Sequence, residues 1–147
     1  MKRVINKMEL HFPSLSMNER FARSAVASFL LVLDPLVTEM NDLKTAVSEA
    51  VTNAVVHAYR DTIGVVYITA KILEDDTVIV RIRDRGCGIP DIEQAMEPLY
   101  STGGEERAGL GFAVMQSFCD GVRVASQVGR GTTVTLTKKF TRKQNEE

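Results

Sequence analysis

The stretch Ser48-Glu49-Ala50-Val51-Thr52-Asn53-Ala54-Val55-Val56-His57 decides how the rest of the chain is read. Around it Leu43, Ala46, Val47, Ala50, Val51, Ala54, Val55 and Ala58 recur at intervals of mostly three and four residues, the spacing of a helix with one buried face. Glu49, Asn53 and His57 stand four apart, so they share one ridge with steps of about 6 Å along the axis. A carboxylate takes a proton or attracts a metal, and an amide oxygen ligates a hard cation. Such a row is either a wet helix margin or the wall of a chemical site. The helix alone leaves both readings open.

Working outward, the pattern on the N-terminal side is a strand and a first helix. Residues 4–12 alternate, with Met8, Leu10 and Phe12 on one side, and Pro13 ends the run. Ser16 and Glu19 form a capping-box pair ahead of the apolar face Phe21, Ala22, Ala25, Val26, Phe29, Leu30 and Leu33. Asp34-Pro35 stops that helix. Thr38 or Asn41 is available to cap the next one, which carries the ridge and is expected to run to about Tyr59.

Past Asp61 and Gly64 the period changes from about four to two. Val65 to Leu73 and Thr77 to Asp84 read as strands rich in Val and Ile, joined by the acidic turn Glu74-Asp75-Asp76. A glycine-punctuated loop, a short helix over Asp91 to Glu97 and a Ser/Thr/Gly/Glu-rich segment over Tyr100 to Arg107 follow. Gly109-Leu110-Gly111 leads into a helix through Cys119, and Gly121 to Gln127 pairs with Thr132 to Lys139 as a second hairpin. Consecutive hairpins with intervening helices predict an α+β two-layer sandwich: a mixed, mostly antiparallel sheet with helices on one face. Residues 1–140 are expected to form a single domain, followed by a polar tail over residues 141–147.

Bulk properties narrow the function. A chain of 147 residues with 44% hydrophobic content supports one hydrophobic core. With 18 basic and 19 acidic side chains the net charge is -1, so no global basic field for nucleic acid exists, although a local patch remains able to bind a charged partner. Apolar runs such as Phe29 to Leu33 are too short to span a membrane. No signal-peptide segment is visible, and Cys87 and Cys119 match no metal or redox spacing, so a cytoplasmic protein with reduced thiols is expected.

Three loops bear on the ridge. Asp84-x-Gly86-x-Gly88 follows a strand, where a carboxylate accepts a hydrogen bond from an exocyclic amine while glycines leave room for a ring; a plain tight turn reads equally well. Gly109-x-Gly111 opens a helix whose free N–H groups suit phosphate oxygens, or simply enters that helix. Gly129-Arg130-Gly131-Thr132 is a good hairpin turn that sets the Thr132 hydroxyl just inside the next strand.

Each box is weak by itself, but their order is specific. ExxxNAxxH on a helix, DxGxG after a strand, GLG at a helix start and GxGT at a final hairpin together resemble the GHKL ATPase fold. That fold is shared by DNA gyrase, the Hsp90 chaperone, histidine kinases and the mismatch-repair protein MutL. The resemblance spans roughly residues 4–140. It implies that Asn53 ligates Mg2+ against the phosphates of ATP, that Glu49 is the general base, and that Asp84 reads adenine with Thr132 assisting through water. Gly86, Gly88, Gly109, Leu110 and Gly111, with Arg107 beside them, fall at its close-approach and phosphate-contact positions. His57 matches an often occupied helix-end position and is expected to be structural, because nothing near it supplies metal-ligand spacing.

Length points to one branch. Gyrase, Hsp90 and MutL relatives need further domains for which 147 residues leave no room, and neither His11 nor His57 sits in a phosphoacceptor setting. The stand-alone members of this size are bacterial anti-sigma serine kinases, and Asn18-Glu19-x-Phe21-Ala22-Arg23, Gly88-Ile89-Pro90-Asp91-Ile92-Glu93 and Glu106-Arg107-x-Gly109-x-Gly111-Phe112 resemble their sporulation branch. The resemblance implies an ATP-bound homodimer that holds a sigma factor away from RNA polymerase. It also implies phosphorylation of a serine on an anti-anti-sigma STAS-domain protein, with Arg23 and Arg107 meeting the partners and no direct contact with nucleic acid or membrane. A stress-response anti-sigma kinase or switch kinase, or a nucleotide-gated binding module without transfer, are the other readings of the same boxes.

Overall fold

The structure is a computed structural model that describes residues 2–97 and 111–142. Its sheet is built on the hairpin that the change of period marks. Strand β2 (Val65–Leu73) and strand β3 (Thr77–Asp84) alternate strictly between buried and half-exposed or exposed positions. Val66, Ile68, Ala70 and Ile72 face the same side as Val78, Val80 and Ile82, which is why a period of two gives a half-buried hairpin. The turn closes through Asp76, at φ +68°, whose N–H donates to the Leu73 carbonyl at 2.9 Å.

Strand β1 (Val4–Pro13) pairs with β2, and the second hairpin, β4 (Gly121–Gln127) and β5 (Gly131–Lys139), adds to β3. The order across the sheet is β1-β2-β3-β5-β4, and all four pairings are antiparallel. The register places Asp84 directly opposite Thr132, and Thr132 in turn opposite Ser126.

Helices α1 (Met17–Phe29) and α2 (Val37–Thr52), the short α3 (Ile92–Met96) and α4 (Phe112–Phe118) complete the order. Leu30, Leu43, Val47 and Val51 pack with Ile68, Ile72, Leu136, Phe112 and Met115 in one continuous core. Burying a side chain of that size contributes roughly 1.5–3 kcal/mol. Lys138 is buried on the helix side of β5, donating to the Phe118 carbonyl at 2.8 Å and lying 3.9 Å from Asp42, so it pins the end of α4 to α2.

Several local expectations change. Helix α1 ends in a 3-10 turn, Leu30–Leu33, before Asp34 adopts φ +49°. The Ser16–Glu19 capping box does not form: Ser16 makes no side-chain cap bond, and the Glu19 carboxylate instead accepts from Ser48 Oγ of α2. Neither Thr38 nor Asn41 caps α2, whose N-cap is Leu36. At the start of the expected polar tail, the Thr141 N–H donates to Glu39 Oε1 at 2.8 Å and Arg142 grips Asp76 with bonds of 2.9 and 3.0 Å, while residues 143–147 lie outside the described residues. The Ser/Thr/Gly/Glu-rich segment over residues 100–107 lies outside the described residues.

Candidate functional site

The chemistry gathers where the C-terminal end of β3 meets the C-terminal end of α2. Asp84, the last residue of β3, is buried, and its Oδ1 accepts the Gly86 N–H at 2.9 Å and the Thr132 N–H at 3.2 Å. Burial raises its pKa above 3.8, and these two N–H bonds pull it back. Both bonds end on Oδ1, so the second carboxylate oxygen keeps its acceptor capacity. Asn53, Asp84, Gly88, Phe112 and Thr132 line a cavity of about 30 Å³, which is room for a water or two.

The glycines of this region are used against the chain itself. A Cβ on Gly86 collides with the Ala58 carbonyl oxygen, and the neighbouring Cys87 N–H donates to that oxygen at 3.1 Å. The loop after β3 therefore lies flat on the end of the α2 segment. Tyr59 ties the same corner, donating to the Val65 carbonyl at 2.9 Å and accepting the Arg85 N–H at 2.6 Å. Gly111 sits at φ +76° with its open side against the Glu49 carboxylate, so any side chain there displaces Glu49.

Helix α2 itself changes character along the ridge. It is α-helical through Thr52, and Asn53–Ala58 form a π-helical turn in which the Tyr59 N–H reaches back to the Ala54 carbonyl at 3.3 Å. Inserted π geometry of this kind is frequent at functional sites. Glu49 therefore precedes the irregularity, while Asn53 and His57 belong to it, and the straight ridge expected from spacing is broken at Asn53. The buried Asn53 Nδ2 has no hydrogen-bond partner among the described residues. An orphaned buried donor costs about 1–3 kcal/mol. Amide ends are exchanged by rotation, so this position delivers either an N–H to a phosphate oxygen or a carbonyl oxygen to a cation.

Glu49 is half-buried, and burial first, then the negative charge of Glu19, raises its carboxyl above 4.5. Glu19 is held by Ser48 Oγ and lies 3.7 Å from Arg23 Nε, linking α1 to the residue next to Glu49. His57 lines the small cavity, and its carbonyl accepts from Arg60 Nε at 3.2 Å. Among the described residues no group of His, Cys, Asp and Glu side chains is placed to hold a metal by itself.

A larger cavity, about 490 Å³, lies elsewhere, on the opposite sheet face around Tyr67, Arg81 and Arg83. Size is outweighed here by chemistry. The small cavity holds the buried carboxylate and the orphaned amide, whereas the large one is a shallow depression over paired strands.

The family described as histidine kinase-, DNA gyrase B- and HSP90-like ATPase matches residues 38–142. The chain belongs to this ATPase family. It is 53% identical over 134 residues to the Anti-sigma F factor of Caldanaerobacter subterraneus subsp. tengcongensis, covering 90% of this chain and 93% of that protein. It is 52% identical over 136 residues to the Anti-sigma F factor of Clostridium acetobutylicum, with 92% and 94% covered. Among solved structures, the RsbU and RsbW domains of a Mycobacterium tuberculosis protein superpose with a TM-score of 0.65 at 22% identity, over 92% of this chain and 33% of that one. That likeness concerns the fold.

Set against the family boxes, the structure brings Asn53, Asp84, Gly88 and Thr132 around one cavity and places Glu49 one helical turn before Asn53, under Gly111. Gly86 stands behind this wall, packed on Ala58. Arg23 is on α1, joined to the site through Glu19. Arg107, Gly109 and Leu110 lie outside the described residues. The sequence reading missed Ser126, Tyr59 and the Glu19–Ser48 link. Ser126 was detectable from the second hairpin, whose register sets it opposite Thr132.

Proposed function

We propose that this ATPase-family chain is an anti-sigma factor that sequesters a sporulation-type sigma factor in an ATP-dependent manner and phosphorylates a serine of its STAS-domain antagonist. The observation that carries the reading is the pair of Anti-sigma F factor relatives at 53% and 52% identity, each covered over more than nine-tenths of its length. The site residues fit a nucleotide with Mg2+. The acceptor oxygen left on Asp84 suits an exocyclic amine, and the orphaned Asn53 amide suits a phosphate or its cation. The cavity of about 30 Å³ accounts for the seat of a base edge and no more.

When bound, ATP supplies the transferable phosphoryl group and Mg2+ supplies countercharge to it. The residues of this chain do the rest. Asp84 orients the base edge, with Thr132 beside it. Asn53 holds the phosphate end in register. Glu49 accepts the proton of the incoming serine hydroxyl; a carboxylate near its ordinary pKa is a weak base at neutral pH, and the upward shift from burial and Glu19 improves the match. Glu19 and Arg23 connect this base to the exposed side of α1, where a protein partner approaches. The chain works as a cytoplasmic homodimer.

The test uses the purified chain with γ-labelled ATP, Mg2+, a sporulation sigma factor and a STAS-domain antagonist. Labelled phosphoserine on the antagonist, together with a sigma complex that requires ATP, is expected. A sigma complex indifferent to nucleotide, or an antagonist that stays unlabelled, overturns the reading.

A further inference from the structure

Ser126 of β4 stands directly across from Thr132 of β5, and its hydroxyl is a junction of three groups. The Ile89 N–H donates to Ser126 Oγ at 2.8 Å. The Gly131 carbonyl oxygen, which only accepts, lies 3.1 Å from the same atom. Thr132 Oγ1 lies 2.8 Å from it, with either hydroxyl able to donate. A serine hydroxyl has one proton and two lone pairs, and the Ile89 amide occupies one lone pair. If the serine proton goes to Gly131, the second lone pair receives the Thr132 proton, and all three contacts become hydrogen bonds. If the serine proton goes to Thr132 instead, the Gly131 contact is lost and two bonds remain. In this half-buried corner a forfeited bond is costly, so the three-bond arrangement prevails. Thr132 then has no proton left for the cavity.

We propose that Ser126 is a specificity-determining residue: by taking the Thr132 proton it makes Thr132 Oγ1 a pure acceptor beside Asp84, so the two side chains at the polar end of the cavity accept hydrogen bonds and donate none. This rests on the nucleotide reading of the cavity. An ionised Asp84 accepts only, and with Thr132 fixed in the same sense the pair favours a base edge that carries an amine. A base with a carbonyl at that place, as in guanine, sets lone pairs against lone pairs. Discrimination of this kind is strong because the wrong ligand leaves polar groups unpaired. Ser126 touches no ligand and acts through Thr132, so it is a positioning residue.

The experiment measures ATP and GTP affinities by calorimetry, with Mg2+ present, for the wild type and five variants. Ser126→Ala frees the Thr132 proton to donate toward a ligand carbonyl, and the ratio of ATP to GTP affinity is expected to fall about tenfold. In a Thr132→Val background the same Ser126→Ala change should leave the ratio unaltered. Equal weakening of both nucleotides, or an undiminished Ser126→Ala effect without the Thr132 hydroxyl, overturns the proposal and leaves Ser126 as a support for Ile89. Ser126→Cys is the alternative if the alanine variant does not fold; a thiol accepts weakly, so the ratio should fall in the same direction by a smaller factor, and an unchanged ratio counts against the role. Asp84→Asn separates the two layers. An Asp84→Asn ratio equal to wild type refutes the nucleotide reading itself, whereas a changed ratio there with an unchanged one in Ser126→Ala refutes Ser126 alone.

Discussion

The two ends of the candidate site are built on opposite plans. At the sheet end, Asp84, Thr132, Ser126, Ile89 and Gly86 satisfy one another, with bonds of 2.8 to 3.2 Å that cross β3, β4, β5 and the loop after β3. At the helix end, Asn53 keeps an orphaned amide in a π-helical turn, and Glu49 is disfavoured in its charged form by burial and by Glu19. One end is hydrogen-bonded into the sheet before any ligand arrives, with a single Asp84 acceptor oxygen left over. The other holds groups that cost stability until something binds them. This is the arrangement expected of a site where a rigid reader fixes a ligand and a frustrated end acts on it.

The largest effect belongs at the frustrated end. Glu49→Gln keeps the shape of the side chain but removes its ability to take a proton, so phosphoryl transfer to the antagonist should fall about 10²–10⁴-fold while nucleotide affinity stays within a factor of a few. Single-turnover assays beside calorimetry read both quantities. A variant that transfers at the wild-type rate removes Glu49 as the base.

Next in size, Asp84→Ala should cost about 2 kcal/mol of unfolding free energy in nucleotide-free protein, because it strands the half-buried Gly86 N–H and the buried Thr132 N–H. Asn53→Ala should do the reverse without nucleotide. Deleting an orphaned donor is expected to stabilise the free protein by about 1 kcal/mol, yet weaken Mg-ATP binding about tenfold. Denaturant melts with and without Mg-ATP read both variants. If Asn53→Ala destabilises the free protein as Asp84→Ala does, the contrast between the two ends collapses.

Much of the sheet end was legible in the sequence, because strand periodicity is local. Val65–Leu73 and Thr77–Asp84 begin and end where the period of two does, and the glycines mark the loops on either side. The helix end was less legible, for three physical reasons. A repeat of four residues describes an α-helix, and nothing in Asn53-Ala54-Val55-Val56 announces the extra residue per turn that the π geometry accommodates. Ser16 and Glu19 carry a local capping pattern, but the Glu19 carboxylate found Ser48 from another helix, a choice made by tertiary packing that local spacing does not encode. Gly86 reads in sequence as space for a ligand ring, and the packing adds a second demand on it that sequence does not show, the approach of the loop to Ala58. Ser126 was legible only indirectly: unremarkable by itself, it stands out once the second hairpin is given the register that puts it across from Thr132.

The smallest expected effect tests whether the two helices communicate through Glu19. Its charge is the second cause, after burial, that raises Glu49, so Glu19→Gln should lower the Glu49 pKa while leaving it above 4.5. With Glu49 as the proposed base, transfer requires it ionised, and the rate is expected to fall as pH drops through that pKa. The acid limb of the rate–pH profile should therefore move to lower pH, by less than the total shift, since burial persists. Stability follows the same sign. A carboxylate whose folded pKa is raised contributes stability below its unfolded pKa and loses it as pH rises through the folded value, so lowering the folded value shrinks that loss at neutral pH. The variant also weakens the bond to Ser48 and the ion pair with Arg23, which shifts stability at every pH but does not move a titration limb. A rate–pH profile that superposes on wild type therefore separates Glu19 from Glu49 electrostatically, and leaves Arg23 with no route to the base except through the shape of α1.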